Sequence, residues 1–299
     1  MTADTADTAD TADTANIGRL AVSVAGLLPD RIELPFLTEE AVVLNPKTFD
    51  LDPVSKPGTI TNIADLPGPV PPKWGDNGWD GPWKAWRVVD EFSVTEWRKI
   101  EIARWDIVNV DDELKALIED AEDERADALA QILAQANDTS DVGAYFLRLL
   151  RITVRTHPVT CSLIDAAGLV GTLAVMHFKA NPGHGQPPRP RPSQYRPALM
   201  PPIPVPGHPS YPSGHATQSM LMALLLLEAM PPKIAKAWMP HLHTMAKTIA
   251  RNREIAGLHF PSDSKAGREL AWKVTQLLAD AKLCPLMGSM LKAARAEWS

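Results

Sequence analysis

The feature that most constrains the fold of this chain is a series of helix-forming segments from Ser93 to the C-terminus, interrupted by one proline-rich loop. In the segment 111–135, apolar residues recur with a period of about 3.6 residues, which is typical of an amphipathic helix. Further helices are predicted at 142–156, 159–179, 214–230, 233–256, 263–281 and 285–296. No alternating strand pattern of useful length is found. The sequence therefore predicts an all-α domain, a helical bundle with its site between facing helices.

The first 92 residues have a different character. Residues 1–20 contain a Thr-Ala-Asp repeat with few apolar side chains to bury, and we expect a mobile tail there. Residues 21–92 are rich in Pro, Gly and Trp, which disfavours regular structure. We expect this segment to wrap the helical domain, residues 93–299, as an irregular arm. The tryptophans expected to anchor the arm, rather than line a ligand channel, are Trp74, Trp79, Trp83 and Trp86.

Composition excludes some classes of function. A net charge of −6 disfavours nucleic acid as the main partner, because its phosphates would be repelled. The longest apolar run, Met220 to Leu227, is too short to span a bilayer, and no secretory signal is visible. We therefore expect a soluble, cytoplasmic protein with no membrane partner. Cys161 and Cys284 are interpreted as buried or incidental thiols rather than a disulfide framework.

The segment Tyr211-Pro212-Ser213-Gly214-His215 follows a proline-rich loop and is predicted to begin a helix, with small and polar residues at its N-terminus. The first turn of a helix leaves backbone N–H groups unpaired and carries partial positive charge, which favours an anion. Ser213 adds a hydroxyl donor, and Gly214 lets the backbone approach a ligand closely. Alone, Ser213 would be an ordinary helix N-cap. Together with the basic residues described next, both are expected to contact an oxyanion.

Basic residues and a second histidine complete the set. Arg253 offers a planar fork that suits an oxyanion, and His259 follows it, with Asp263 four residues further on. A carboxylate beside one ring nitrogen fixes the tautomer of an imidazole and leaves the other nitrogen for attack. Arg191, in the proline-rich loop, is expected to make the same contact as Arg253, with Arg189 as its substitute.

Taken in order, these blocks resemble the signature of the PAP2 superfamily, which joins bacterial acid phosphatases, lipid phosphate phosphatases and vanadium-dependent haloperoxidases. Its pattern is Lys before Arg-Pro, then Pro-Ser-Gly-His, then Ser-Arg, five residues, His, three residues and Asp. Residues 212–215 match the second block in full, and residues 252–263 match the third except that Asn252 replaces Ser. The resemblance covers about residues 160–280. It implies a helical bundle of the acid phosphatase and haloperoxidase type.

The first block departs from the family pattern. The family Lys lies about seven residues before the Arg, whereas Lys179 precedes Arg191 by twelve. We interpret residues 181–188 as an inserted loop that bulges outward. Lys179, at the end of its helix, is still expected to point into the pocket.

The resemblance also implies roles for the matching residues. His259 is expected to be the nucleophile, supported by Asp263. His215 is expected to protonate the leaving oxygen and later to activate water. The residues expected to bind phosphate or vanadate are Lys179, Arg191, Ser213, Gly214 and Arg253.

Three functions compete at this stage. The first is a phosphate-monoester hydrolase that acts on a small phosphorylated substrate through a phosphohistidine, without metal or cofactor. The second is a vanadium-dependent haloperoxidase, in which His259 is the axial ligand of vanadate and peroxide oxidises a halide. The third is a non-catalytic binding module that retains the site. The short stretch from Arg191 to Pro212 resembles the soluble acid phosphatases of the superfamily, whereas the long N-terminal extension resembles the haloperoxidase-like branch. We expect the phosphatase, and homo-oligomerisation is left open.

Overall fold

The computed structural model describes residues 42–44, 51–53, 81–136 and 139–298. The chain forms two compact units, residues 1–74 and 75–299. The predicted tail at residues 1–20 lies outside the described residues, as do Trp74 and Trp79.

The described part of the first unit is a small antiparallel sheet. Strand β1, Val42–Leu44, pairs with strand β2, Leu51–Pro53, and Val43 lies opposite Asp52. The sequence had indicated no strand here. Strands of three residues are too short to produce a recognisable alternating pattern, because side-chain alternation needs about four or more residues to be seen.

The described part of the second unit is helical, which confirms the all-α prediction. Its ten α-helices are α1 Gly81–Ser93, α2 Val110–Asp123, α3 Arg125–Ala134, α4 Thr139–Leu150, α5 Pro158–Ala180, α6 Pro192–Tyr195, α7 Gly214–Ala229, α8 Pro232–Ile255, α9 Pro261–Ala279 and α10 Pro285–Ala296. Short 3-10 turns lie at Trp97–Lys99 and Pro197–Leu199. Proline occupies the first turn of α5, α8, α9 and α10, where its missing N–H is not needed and its fixed φ favours the helix.

Three local predictions differ from the structure. The helix predicted at 142–156 is α4, which begins at Thr139 and ends at Leu150. The predicted helix 111–135 is divided at Glu124 into α2 and α3. Residues 81–92, expected to be irregular, are helical and pack against α5. Trp83 and Trp86 are 61% and 46% exposed, so neither anchors the segment. The side chains that α1 buries are instead those of Ala85, Val88 and Phe92. They lie on one face of the helix because they are three and four residues apart.

Helix α7 lies at the centre of the helical unit. It packs against α5, α8 and α9, and its side chains are buried around most of its circumference, including Leu221 and Leu225. A helix that is apolar on all sides can be stable only if other helices surround it. The helix therefore begins within the bundle, at Ser213 and Gly214, of which Ser213 is buried and Gly214 is partly exposed. Cys161 and Cys284 are buried free thiols, as expected.

Helix α5 is long and apolar enough to cross a membrane by length and composition, and 61% of its most apolar window is buried inside the protein. The sequence had predicted this helix at 159–179, but the only segment compared there with the thickness of a bilayer was the shorter apolar run in α7. A mostly buried core helix of a water-soluble protein satisfies the same criteria. Lys179 lies in the last turn of α5. Because this helix is mostly buried, Lys179 is buried as well.

Candidate active site

Several elements converge where the sequence motifs had predicted a site. They are the C-terminal end of α5, the proline-rich segment 187–212, the start of α7, the end of α8 and the start of α9. The predicted site residues that are buried there are Lys179, Arg191, Ser213, Arg253, His259 and Asp263. Gly214 and His215 retain partial exposure. Each buried ionisable group must either find a partner or become neutral through a shifted pKa, because burial removes the water that stabilises its charge.

The turn between α8 and α9 explains the spacing from Arg253 to His259. Helix α8 ends in a Schellman motif, in which Leu258 N donates to Arg253 O at 3.0 Å and Gly257 N donates to Glu254 O at 2.7 Å. Gly257 has φ +73, a left-handed conformation that glycine adopts without a steric penalty. The five intervening residues are therefore those needed to end one helix and turn the chain back into the next.

The next turn explains why Asp263 lies beside His259. Asp263 is in the first turn of α9, where its Oδ2 accepts from Phe260 N at 3.0 Å and so caps the helix. The same oxygen lies 3.3 Å from His259 Nδ1 and accepts from the Ser210 hydroxyl at 2.6 Å. Because a carboxylate only accepts, Nδ1 carries the proton and Nε2 keeps its lone pair.

The ionisation of this pair follows from its surroundings. Burial alone would raise the pKa of Asp263, but the hydrogen bond from His259 and the charge of Arg189 hold that pKa below its ordinary value. Burial lowers the pKa of His259 well below its ordinary value, although Asp263 opposes the shift. At neutral pH the pair is therefore an ionised carboxylate beside a neutral imidazole.

Arg191 lies next to the free nitrogen of His259. Its Nη1 is 3.5 Å from His259 Nε2 and donates to Leu258 O at 2.9 Å. Its Nε donates to His208 O at 3.1 Å, and Nη2 lies 3.1 Å from His208 Nδ1. Burial lowers the pKa of Arg191 to about 10, so it remains charged at neutral pH. A guanidinium at this distance marks the face of His259 that an anion would approach.

Lys179 is 2% exposed and points into the protein rather than into bulk solvent. Its ammonium donates to Pro209 O at 2.6 Å and to Ser210 O at 3.1 Å, in the segment that also holds Arg191. Burial, followed by the charge of Arg191, lowers the pKa of Lys179 to about 7. The loop 181–188, which follows Lys179, is held against the segment around Trp105 by Gln186, whose Oε1 accepts from Trp105 N at 2.8 Å.

Arg189 makes different contacts from Arg191. Its Nη1 donates to Asp263 Oδ1 at 2.7 Å and to Ser262 Oγ at 2.6 Å, and its Nη2 donates to Glu113 Oε2 at 2.7 Å. Residues that precede proline are extended, and side chains two apart in such a segment differ in direction by about 120°. Arg189 and Arg191 therefore face different partners, and only Arg191 lies beside His259 Nε2.

The start of α7 has the predicted form. Ser213 is the N-cap, and its hydroxyl accepts from Ala216 N at 3.4 Å. Its backbone N donates to Asp263 O at 3.1 Å, which ties the start of α7 to the start of α9. A side chain at Gly214 would meet only Val175, at 3.9 Å, so protein packing does not require glycine there. Close approach of a ligand remains the interpretation of Gly214.

His215 and Arg253 share one partner, the backbone carbonyl of Gln135. His215 Nε2 lies 2.9 Å from this oxygen, and Arg253 Nη1 donates to it at 2.7 Å. Burial lowers the pKa of Arg253 to about 10, and burial followed by the charge of Arg253 lowers the pKa of His215 to about 3. Two predicted site residues thus converge on a single oxygen atom, in a geometry that suits an oxyanion oxygen.

A family model described as the PAP2 superfamily matches residues 167–281. The chain is therefore similar to the PAP2 superfamily over these residues, which we call the PAP2 segment. The resemblance inferred from the sequence motifs is thereby confirmed, and it supports an activity of the phosphatase or haloperoxidase type. The match runs from within α5 to just beyond α9. A comparison of the chain with curated proteins gave no match.

Two further residues of the site lie outside the PAP2 segment and were missed from the sequence. Glu113, on α2, accepts from Arg189, Ser262 N and Ser262 Oγ. Gln135, at the end of α3, supplies its backbone carbonyl, and its side-chain Oε1 accepts from Asn252 Nδ2 at 3.2 Å. Neither belongs to a motif, because one lies in a run of acidic residues and the other acts through its backbone.

Ser210 was also missed, although it lies inside the PAP2 segment. Its hydroxyl is buried and donates to Asp263, beside His259 Nδ1. Its position one residue before Tyr211 was the available signal. Within the described part of the chain, no group of three or more His, Cys, Asp or Glu side chains is arranged to hold a metal ion.

Proposed function

We propose that this protein is a phosphate-monoester hydrolase that acts through a phosphohistidine at His259. The observation that carries the proposal is the buried His259–Asp263 pair, with Nδ1 held by the carboxylate and Nε2 directed to the side on which Arg191 lies. A neutral imidazole with a fixed tautomer is a competent nucleophile at neutral pH. The adjacent cations attract the phosphate that it would attack.

In the proposed first step, His259 Nε2 attacks phosphorus. The new N–P bond forms as the ester P–O bond breaks, and the leaving oxygen takes a proton from His215. In the second step water attacks phosphorus while His215 accepts its proton; the new P–O bond forms as the N–P bond breaks, so inorganic phosphate leaves and neutral His259 is restored. Asp263 stabilises the positive charge that develops on His259 in the first step. Both steps balance without a metal or a redox partner.

His215 must change partner for this role. Its Nε2 proton now faces the Gln135 carbonyl, and its pKa is lowered to about 3 by burial and by Arg253. A phosphate oxygen in place of that carbonyl would bring negative charge next to the imidazole. Negative charge within a few ångströms favours the protonated form and raises the pKa. We therefore propose that substrate itself prepares His215 to act as an acid.

Lys179, Arg191 and Arg253 would neutralise the phosphate oxygens, with Ser213 and the backbone at Gly214 as further donors. Phosphoryl transfer depends on positioning and on compensation of charge at the equatorial oxygens, which these buried cations can supply. Burial, followed by the positive charge of Arg191, lowers the pKa values of both Lys179 and Arg253, so the three cations of this site also repel one another. An anion relieves that repulsion. We propose a small phosphorylated molecule as the substrate.

Haloperoxidase activity is the second candidate, because the same donors fit vanadate. Lys179, Arg191 and Arg253 would hold the vanadate oxygens, and His259 Nε2, an imidazole nitrogen without a proton, would bind the vanadium. Bound vanadate would supply the activation of peroxide for halide oxidation. In that case Asp263 would orient His259 as a ligand rather than as a nucleophile.

A paired assay on one preparation tests the proposal. Hydrolysis of an aryl phosphate is measured in the presence of a chelator, and oxidation of bromide or iodide by peroxide is measured after incubation with vanadate. We expect hydrolysis that is lost in His259→Ala and inhibited by vanadate. Halide oxidation without any phosphate hydrolysis would reject the phosphatase and favour the haloperoxidase. The absence of both activities would favour the binding module.

A further inference from the structure

We propose that Glu113 and Arg189 form a positioning pair that acts on His259 through Asp263. This inference rests on the proposed nucleophilic role of His259. Neither residue faces the phosphate-binding side, and Glu113 lies outside the PAP2 segment. Their contacts form a continuous chain from α2 to the imidazole: two hydrogen bonds of 2.7 Å join Glu113, Arg189 and Asp263, and the last contact, to His259 Nδ1, is 3.3 Å.

The two oxygens of Asp263 serve different partners. Oδ1 accepts from Arg189 at 2.7 Å, whereas Oδ2 accepts from Ser210 and Phe260 N and faces His259 Nδ1. The Arg189 contact therefore fixes the rotation of the carboxylate without competing for the oxygen that orients His259. An ionised carboxylate with no exposed surface also needs a positive partner, since burial disfavours its charge.

Arg189 is itself held rigidly. Its side chain has no exposed surface, and its guanidinium lies 3.7 Å from the ring centroid of Phe260, the residue next to His259. This stacking orients the plane of the guanidinium, so its two Nη atoms reach Asp263 on one side and Glu113 on the other. A lysine could supply the charge but not this fork.

Glu113 holds two partners in place: Arg189 and the start of α9. Its Oε1 accepts from Ser262 N at 2.7 Å and its Oε2 accepts from Ser262 Oγ at 2.9 Å. Ser262 immediately precedes Asp263. The Glu113 carboxylate therefore holds both the backbone next to Asp263 and the Arg189 guanidinium that donates to Asp263. The negative charge of Glu113 partly compensates the positive charge of Arg189. Asp263 therefore keeps more of its own negative charge and is a stronger acceptor for the N–H of His259.

This arrangement predicts shifts of opposite sign in two variants. The charged groups that face His259 are Asp263 from α9, Lys179 from α5 and Arg191 from the proline-rich segment. Arg189→Met removes a positive charge behind Asp263, so the His259 pKa should rise by about one unit. Glu113→Gln removes a negative charge and concentrates Arg189 on Asp263, so the same pKa should fall. The double variant should return towards the wild-type value.

The experiment is a pH titration of the full-length protein labelled with ¹⁵N at histidine, followed by NMR without substrate. We expect the His259 ring to stay in its Nδ1–H form in the wild type and to show the opposite shifts in the two variants. The acidic limb of kcat/KM for an aryl phosphate should move in the same directions, with kcat about tenfold lower in Arg189→Met. Arg189→Lys should recover the pKa but not the full kcat.

A structural role alone would lower the unfolding free energy while the His259 pKa and tautomer stayed at wild-type values, and that result would overturn the proposal. If Arg189→Met fails to fold, Glu113→Gln and Arg189→Lys still test the pair, because each keeps a side chain of similar size. An inactive wild-type protein would reject the proposed hydrolase, while the NMR titration would still decide on the positioning pair.

Discussion

At the scale of single residues, the account depends on His259. Replacing it with Ala removes the proposed nucleophile. We therefore expect the rate of aryl phosphate hydrolysis to fall by more than about 10²-fold, which exceeds the smallest effect expected from loss of general acid–base catalysis. His241→Ala, an exposed histidine on α8, is the matched control and should retain activity. Circular dichroism and thermal unfolding verify that both variants fold. A folded His259→Ala that keeps a tenth of the wild-type rate would contradict the assignment.

Lys179 gives a prediction about pH. Its pKa of about 7 in the free protein means that its positive charge is present below pH 7 and is lost as pH rises above it. Binding of sulfate, whose own charge is constant over this range, should therefore weaken as pH increases above about 7. Lys179→Met should bind sulfate more weakly by about 1–3 kcal/mol at pH 6 and lose this part of the pH dependence. Isothermal titration at several pH values measures both effects. An identical pH dependence in the variant would place the titrating group elsewhere.

At the scale of helices, the junction of α7 and α9 positions the site. A Cβ on Gly267 would lie 2.7 Å from Ser213 O and 3.0 Å from Ala216 Cβ, so the helices approach too closely for any side chain. Gly267→Ala should force them apart and lower the unfolding free energy by about 1–3 kcal/mol, as measured by urea denaturation.

Gly214→Ala is the matched comparison for Gly267→Ala. Its Cβ would make only an ordinary contact with Val175, so the unfolding free energy should change by less than about 0.5 kcal/mol. Sulfate affinity should nevertheless fall if the backbone at Gly214 approaches the oxyanion. Unchanged sulfate binding in this variant would exclude Gly214 from the site.

The helices and motifs could be predicted to different extents. Most helix bounds followed from apolar periodicity, but the division at Glu124 did not, because acidic residues continue across it without a breaker. His259 and Asp263 were predictable because their relation is local to one turn. The partnership of Arg189 with Glu113 joins residues 76 positions apart, which no local pattern encodes. The Gln135 carbonyl has no side-chain signature at all.

At the scale of the whole molecule, helices outside the PAP2 segment belong to the same core. Phe92 on α1 is fully buried in the cluster that also contains residues of α5 and α7. Phe92→Ala should lower the unfolding free energy of the helical unit by about 3–5 kcal/mol, in a single cooperative transition. Trp83→Ala, on the exposed face of the same helix, should change it by less than about 0.5 kcal/mol. A separate early transition in Phe92→Ala would indicate that α1 is an independent appendage.

The most direct test of the central claim is to trap the phosphorylated enzyme. The protein is mixed with an aryl phosphate, quenched under alkaline conditions that preserve phosphohistidine, digested and analysed by mass spectrometry. We predict a phosphoryl group on His259 that is absent from His259→Ala. It should accumulate in His215→Ala when the aryl group is an acidic phenol, because such an aryloxide leaves without a proton whereas water is then not activated. Steady hydrolysis with no phosphoryl group on His259 in any of these proteins would contradict the account.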